Sequence, residues 1–225
     1  MRLVLGASAF EADRKWLRVP RSSSGMKIGL FGGSFNPAHK GHRKASLTVL
    51  RRCELDEIWW LVTPGNPLKD HGDLAPLRER VFKAAAMADH PKIRVTAFEA
   101  AAGLQYTADT IRYLTERRPD VHFVWIMGAD NLTGFHKWQD WRGIMRRVPV
   151  AVVDRPGDRL AAVSAPAAQA FAKFRVDERQ ARALATRPKP VWAFIHCPLD
   201  PTSSTVLRAS QRGQTASLFA QDFVP

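Results

Sequence analysis

The sequence predicts a doubly wound α/β fold: a parallel sheet with helices packed on both faces. Three observations carry this expectation. From Met26 onward, strand-like and helix-like segments alternate almost throughout. The strand-like runs are continuously apolar, as strands covered on both faces are. A glycine-rich turn directly follows the first of them, and in open α/β sheets ligands bind outside the carboxyl ends of the strands.

The elements follow in order. Residues 28–31 are a short apolar run, read as a buried strand. After the glycine-rich turn, residues 42–52 carry Ala45, Leu47, Val49 and Leu50 and read as a helix. Residues 57–63 form a second strand, rich in Trp59, Trp60, Leu61 and Val62. Residues 76–88 are a helix with proline near its first turn. A strand at 93–98 precedes a helix at 107–117, which Pro119 stops. A strand at 122–127, a helix at 138–147 and a strand at 150–154 continue the alternation. A late strand at 191–196 and a late helix at 204–211 complete it. Residues 157–190 are alanine-rich, then charged, without a clean strand, and read as helices or loops packed outside the sheet. No internal repeat is visible.

The chain has 225 residues, enough for one domain with a full core. Hydrophobic residues make up 45% and charged residues 24%, an ordinary globular composition. No apolar run approaches the length of a membrane span. The net charge of +13 favours anionic partners, either nucleic acid or phosphorylated small molecules. Cys53 and Cys197 are far apart and in no metal spacing, which fits a reducing cytoplasm. Residues 1–25 stand apart. Their apolar stretch is too short for a secretory signal, and Glu11 and Asp13 follow at once. With the flexible 21–25 joint, they read as a disordered leader, or Met26 as the true start. The expected organisation is a leader at 1–25, a domain at 26–212 and a tail at 213–225, and a chain starting at Met26 is expected to fold and work.

The segment with most chemistry is Gly32-Gly33-Ser34-Phe35-Asn36-Pro37-Ala38-His39-Lys40-Gly41-His42. Glycines let a backbone turn sharply and approach a phosphate closely. His39 and His42, three apart at a helix start, aim at one point near the free N–H groups and positive dipole end, which favour an anion. The segment is not a Walker loop and lacks the dinucleotide Gly-x-Gly-x-x-Gly spacing. It is no convincing zinc site, because no third ligand sits at a useful spacing. The bland alternative is a strand-to-helix turn with two surface histidines.

This segment resembles the signature of the H-x-G-H nucleotidyltransferase superfamily, and within it bacterial nicotinate-nucleotide adenylyltransferase. The resemblance spans about residues 27–212 and implies a Rossmann-like sheet. It implies that Gly32, Gly33, Ser34, Phe35, His39, Gly41 and His42 line the ATP site. Thr202-Ser203-Ser204-Thr205-Val206-Leu207-Arg208 is similar to the family's triphosphate-gripping Ser-Ser-Thr-x-Ile-Arg, with Leu207 replacing isoleucine. Ser204, Thr205 and Arg208 would hold phosphate oxygens, although the same residues could be a plain helix cap. Pro67-Leu68-Lys69 stands where the family shows Pro-Pro-His-Lys: the histidine is lost, and Lys69 is kept as a phosphate contact. Gln105-Tyr106-Thr107 resembles the stretch beside the pyridine ring, and Thr107 could equally be an N-cap. Gly128 and Asp130 follow a strand end where nucleotide groups bind. Trp138 offers a flat face for the ring, whereas Trp59 and Trp141 read as core. Arg155, in Arg155-Pro156-Gly157, is a plausible phosphate neighbour. Asn36 replaces the aspartate of many superfamily members and is assigned no catalytic role.

The implied reaction joins nicotinate mononucleotide to the AMP part of ATP. His39, His42, Lys69 and Arg208 are the expected catalytic residues. Ser34, Lys69, Tyr106, Thr107, Trp138 and Arg155 are expected on the mononucleotide side. Mg2+ is expected to arrive with ATP, with no metal ligands on the protein, because magnesium needs few. The expected location is the cytoplasm, with no membrane or nucleic-acid partner. Alternatives remain. Phosphopantetheine adenylyltransferases are shorter and usually have threonine in place of the first histidine, which argues against them. A nicotinamide-mononucleotide enzyme stays open. For a nucleic-acid-binding module there is only the net charge: no clustered basic helix, zinc finger or RNP pattern supports it.

Overall fold

The computed structural model describes residues 14–65, 74–154 and 159–197. Its centre is a seven-stranded sheet in the order β3-β2-β1-β4-β5-β7-β6. The strands are β1 (Lys27–Gly33), β2 (Glu57–Val62), β3 (Ile93–Thr96), β4 (His122–Gly128), β5 (Val150–Val153), β6 (Arg175–Val176) and β7 (Trp192–Ile195). Every neighbouring pair is parallel. The helices are α1 (Lys40–Arg52), α2 (Leu77–Ala88), α3 (Phe98–Ala102), α4 (Thr107–Arg117), α5 (Ala129–Gly134), α6 (Trp141–Arg147), α7 (Arg159–Val163) and α8 (Pro166–Ala170).

The apolar strands bury both faces, so there are two cores. Val49 and Leu50 of α1, Val81 and Ala84 of α2, and Leu184 of the 3-10 helix Glu178–Thr186 cover one face. Ile111 and Leu114 of α4, Ile144 and Met145 of α6, and Ala167 and Ala168 of α8 cover the other. This is the doubly wound arrangement expected from the sequence. Trp59 and Trp141 lie in the core, as expected.

The chain leaves β1 toward β2 and β3 on one side, whereas β4 leads toward β5 and β7 on the other. The sheet therefore has its switch point between β1 and β4, which opens a crevice at their carboxyl ends. Helices that return from the carboxyl edge to the next parallel strand start at that edge. The N-termini of α1, α4 and α6 thus all face the crevice's end of the sheet, and α4 packs beside α6.

The structure differs from the sequence reading at several boundaries. β3 ends at Thr96, not at 98, because the Thr96 hydroxyl accepts the Phe98 N–H at 3.1 Å and turns the chain into α3. The helix expected from 138 starts at Trp141. Asp140 caps it by accepting the Gly143 N–H at 3.1 Å, while Trp138 is extended and ends the 3-10 turn Phe135–Lys137. Residues 159–190 do contain a strand, the two-residue β6 at the sheet edge, too short to leave an apolar run in the sequence.

Residues 14–25, read from sequence as part of a separate leader, lie against the domain. The Trp16 carbonyl accepts the Ala97 N–H at 2.7 Å, and the Thr96 hydroxyl donates to the Arg18 carbonyl at 2.8 Å. Arg118 donates to the Ser22 carbonyl at 2.9 Å, and the Trp16 ring meets Phe82 edge-on. The strap thereby lies against the carboxyl end of the outer strand β3. Residues 1–13, the tail at 213–225 and the expected helix at 204–211 lie outside the described residues.

Candidate active site

The glycine-rich turn leaves β1 at the switch point. A Cβ on Gly32 would lie 2.5 Å from Cη2 of Trp125 on β4, so glycine is needed there for backbone and indole to pass. Phe35 follows in the left-handed region, with φ 46°, an uncommon conformation for a bulky residue. What holds it there is its ring, which is buried and stacks on Trp60 with centroids 4.9 Å apart. Its side chain therefore belongs to the core, and only its backbone faces the turn's outer side.

His39 is extended and immediately precedes α1, whose first turn contains Gly41 and His42. The rings of His39 and His42 lie side by side, centroids 3.8 Å apart. His39 is buried and His42 half-buried. The backbone N–H of His39 donates to Nδ1 of His42 at 3.3 Å. With Nδ1 accepting, a neutral His42 carries its proton on Nε2, which makes that nitrogen a donor. The ring rests against Phe35, whose centroid is 4.9 Å away. Below it, Trp60 Nε1 donates to the Ser46 hydroxyl at 2.7 Å, which donates to the His42 carbonyl at 2.9 Å. This buried relay from β2 through α1 locks the helix start that presents both histidines.

Gly128 ends β4 and precedes α5, and Asp130 stands exposed in the first turn of α5. Both lie across the switch point from the histidines. Tyr106, exposed, is the N-cap residue of α4, and Thr107 is its first helical residue, so Thr107 is not the cap. Trp138 precedes α6, half-buried, edge-on to Phe135 at 5.2 Å and to Trp125 at 6.4 Å. Because α4 and α6 lie side by side, Tyr106, Thr107 and Trp138 share the carboxyl edge. Trp138 is also fixed through Trp125 to the Gly32 turn.

Lys69, Arg155, Ser204, Thr205 and Arg208 lie outside the described residues. Among the described residues no group of three His, Cys, Asp or Glu side chains could hold a metal ion. The arrangement suits an anion: paired imidazoles, a helix N-terminus and glycine backbone.

Three residues here escape the sequence reading. Trp60 and Ser46 support His42, and a tryptophan in an apolar strand gives no sign of that role. Arg80, on α2, is 1% exposed and donates to four backbone carbonyls around the turn. Its one signal is spacing: it falls three residues after Leu77 and one before Val81, inside the helix's apolar stripe.

Residues 30–210 match the family model described as cytidylyltransferase-like. A protein of Methylorubrum extorquens, named "probable nicotinate-nucleotide adenylyltransferase", is 61% identical over 183 residues, covering 81% of this chain and 99% of that protein. A protein of the same name from Rhizobium meliloti (strain 1021) is 56% identical over 188 residues, covering 84% of this chain and 100% of its own length. The structure of Plasmodium falciparum nicotinic acid mononucleotide adenylyltransferase complexed with NaAD shares the fold. It superposes with a TM-score of 0.60 over 82% of this chain and 83% of its own, at 16% identity. The chain belongs to the nicotinate-nucleotide adenylyltransferase family, within the cytidylyltransferase-like proteins.

Proposed function

We infer that this protein transfers the adenylyl group of ATP to nicotinate mononucleotide, giving the deamido form of NAD and pyrophosphate. The observation that carries this reading is the pair of adjacent imidazoles at an α-helix start on the switch point of a parallel sheet. Relatives of the same family at 56% and 61% identity bear the corresponding name.

The mononucleotide's phosphate oxygen attacks the α-phosphorus of ATP, the bond from that phosphorus to the bridging oxygen breaks, and pyrophosphate leaves. The attacking phosphate is already ionised near neutral pH, so the site needs no strong base. Its task is alignment and charge neutralisation. His39 and His42 donate toward the α-phosphate as charge grows there, and the glycine backbone at 32–33 with Ser34 accommodates the phosphates. Lys69, Arg208, Ser204 and Thr205 supply the remaining donors. Magnesium bound to ATP would offset charge on its phosphates. Gly128 and Asp130 face the nucleoside side. Tyr106, Thr107 and Trp138 form the slot for the pyridine ring. Arg155 neighbours the mononucleotide phosphate. A ring carboxylate is welcomed by the N-terminus of α4, worth about 0.3–1 kcal/mol over a neutral amide.

The test is kinetic. The purified protein with ATP, magnesium and each mononucleotide should release pyrophosphate, with higher kcat/KM for nicotinate than for nicotinamide mononucleotide. Trp138→Ala should raise the mononucleotide KM and leave that of ATP nearly unchanged. Equal use of both mononucleotides would refute the selectivity, and an effect on ATP alone would put Trp138 on the other substrate's side.

A further inference from the structure

Four tryptophans of the sheet are buried: Trp59 and Trp60 on β2, Trp125 on β4 and Trp192 on β7. An indole N–H taken out of water needs an acceptor, because an unmade bond leaves the full cost of desolvating the group. Three of the four have one. Trp59 donates to Oε2 of Glu57 at 3.1 Å, Trp60 to the Ser46 hydroxyl at 2.7 Å and Trp192 to the Phe171 carbonyl at 2.9 Å. Trp125 is 2% exposed, its Nε1 is screened from solvent, and it has no acceptor among the described residues.

The position of this unpaired donor is informative. In the sheet register Trp125 lies opposite Leu30 of β1. Its ring nevertheless reaches Gly32, two residues further on, where Cη2 and Cζ2 are the first atoms that a Cβ would meet. The indole therefore leans toward the carboxyl edge, against the start of the turn that leads to the histidines. It does so on the face of the sheet that α4 and α6 cover, and Trp138 stands edge-on to it at 6.4 Å. The ring thus joins the glycine turn to the slot of Tyr106, Thr107 and Trp138.

We propose that Trp125 is a specificity-determining residue, whose indole N–H donates to the ring carboxylate of nicotinate mononucleotide. The proposal rests on the function inferred above and deepens it. An indole nitrogen only donates and an ionised carboxylate only accepts. A hydrogen bond to an ionised acceptor is also roughly twice as strong as one between neutral groups. A ring amide accepts through its carbonyl without that charge. Because the nitrogen is screened, the carboxylate reaches it only as a covering side chain yields, and Trp138, half-buried beside it, is placed to do so. Water is then kept from the bond, which strengthens it. The N-terminus of α4 acts on the same carboxylate through its dipole, and the indole adds a donor of fixed direction.

The experiment uses Trp125→Phe, which keeps a buried aromatic ring and removes the donor. In the pyrophosphate-release assay with ATP and magnesium, its kcat/KM for nicotinate mononucleotide should fall about tenfold or more, the scale of a hydrogen bond to a charged group. For nicotinamide mononucleotide it should fall far less, and KM for ATP should hold. Wild-type protein that yields no dinucleotide refutes the functional reading itself, before Trp125 is at issue. A direct readout is the indole N–H spectrum of isotope-labelled protein, with the Trp125 signal assigned through its ring's contact with the Gly32 backbone. Nicotinate mononucleotide should move that signal downfield, and nicotinamide mononucleotide should move it less. A folded Trp125→Phe variant that loses both mononucleotides alike or neither, or a Trp125 signal that nicotinate mononucleotide leaves in place, would overturn the assignment. If Trp125→Phe does not fold, the titration of the wild type decides alone.

Discussion

His42 is held from three directions: by the His39 N–H at Nδ1, by the Phe35 ring, and through its carbonyl by Ser46 and Trp60. Such support fixes where Nε2 donates, and a preorganised donor of this kind is worth roughly a hundredfold in turnover. His42→Ala should therefore lower kcat by about that factor while the protein stays folded, since the ring is only half-buried. Normal turnover in steady-state assays would remove His42 from the mechanism. Glu99 presents a different balance. It is buried in the first turn of α3, and burial raises its carboxyl above the ordinary range, although the Thr110 hydroxyl donating at 2.7 Å partly opposes this. A raised carboxyl favours the protonated form in the folded protein. Its full stability is present below the ordinary glutamate range and is lost as pH rises through the raised value. Glu99→Gln keeps an acceptor for Thr110 without the charge. It should melt with wild type at pH 4 and above wild type at pH 7.5, and equal melting at both would show that the carboxyl carries no such penalty. At this scale the sequence discloses the histidines, because two imidazoles flanking a glycine after a strand are an unusual combination. It does not disclose Arg80 or Ser46, whose roles arise only when β1, β2, α1 and α2 meet.

Elements read well where their signal is long. β1, β2 and β4 are legible as apolar runs, and α4 matches its expected ends because Pro119 stops it. Short elements are not legible. The helices α3 and α5, of five and six residues, and the two-residue β6 are set by tertiary packing and single hydrogen bonds rather than by periodicity. The N-terminal strap is the largest such case: no apolar pattern marks residues 14–25, and their attachment is mostly through their own backbone carbonyls, which accept from the Thr96 hydroxyl at the end of β3 and from the Ala97 N–H before α3. From sequence, a chain starting at Met26 should be unimpaired. The structure leads to a narrower expectation. That truncation should retain catalysis per folded molecule, because no site residue lies in the strap. It should melt several degrees lower, at about 2–4 °C per kcal/mol for a domain of this size. An unchanged melting temperature would show that the strap contributes nothing.

For the whole molecule, the sheet order places the switch point between β1 and β4, and every described site segment lies on that carboxyl edge. The alternation of elements makes this arrangement readable before any coordinates, because parallel strands with short turns leave few topologies. The strong positive charge also takes on a meaning it lacks in the composition: both proposed substrates and the leaving group are polyanions. What the sequence alone could not establish is how the separate motifs converge, since that depends on which strands neighbour one another. The central claim is displacement at the α-phosphorus of ATP by the mononucleotide phosphate. It is tested most directly with ATP labelled at either the α- or the γ-phosphorus, incubated with magnesium, nicotinate mononucleotide and the purified protein. Displacement at the α-phosphorus puts α-label in the dinucleotide and γ-label in pyrophosphate. Release of γ-label as inorganic phosphate, or α-label that never enters a dinucleotide, would contradict it.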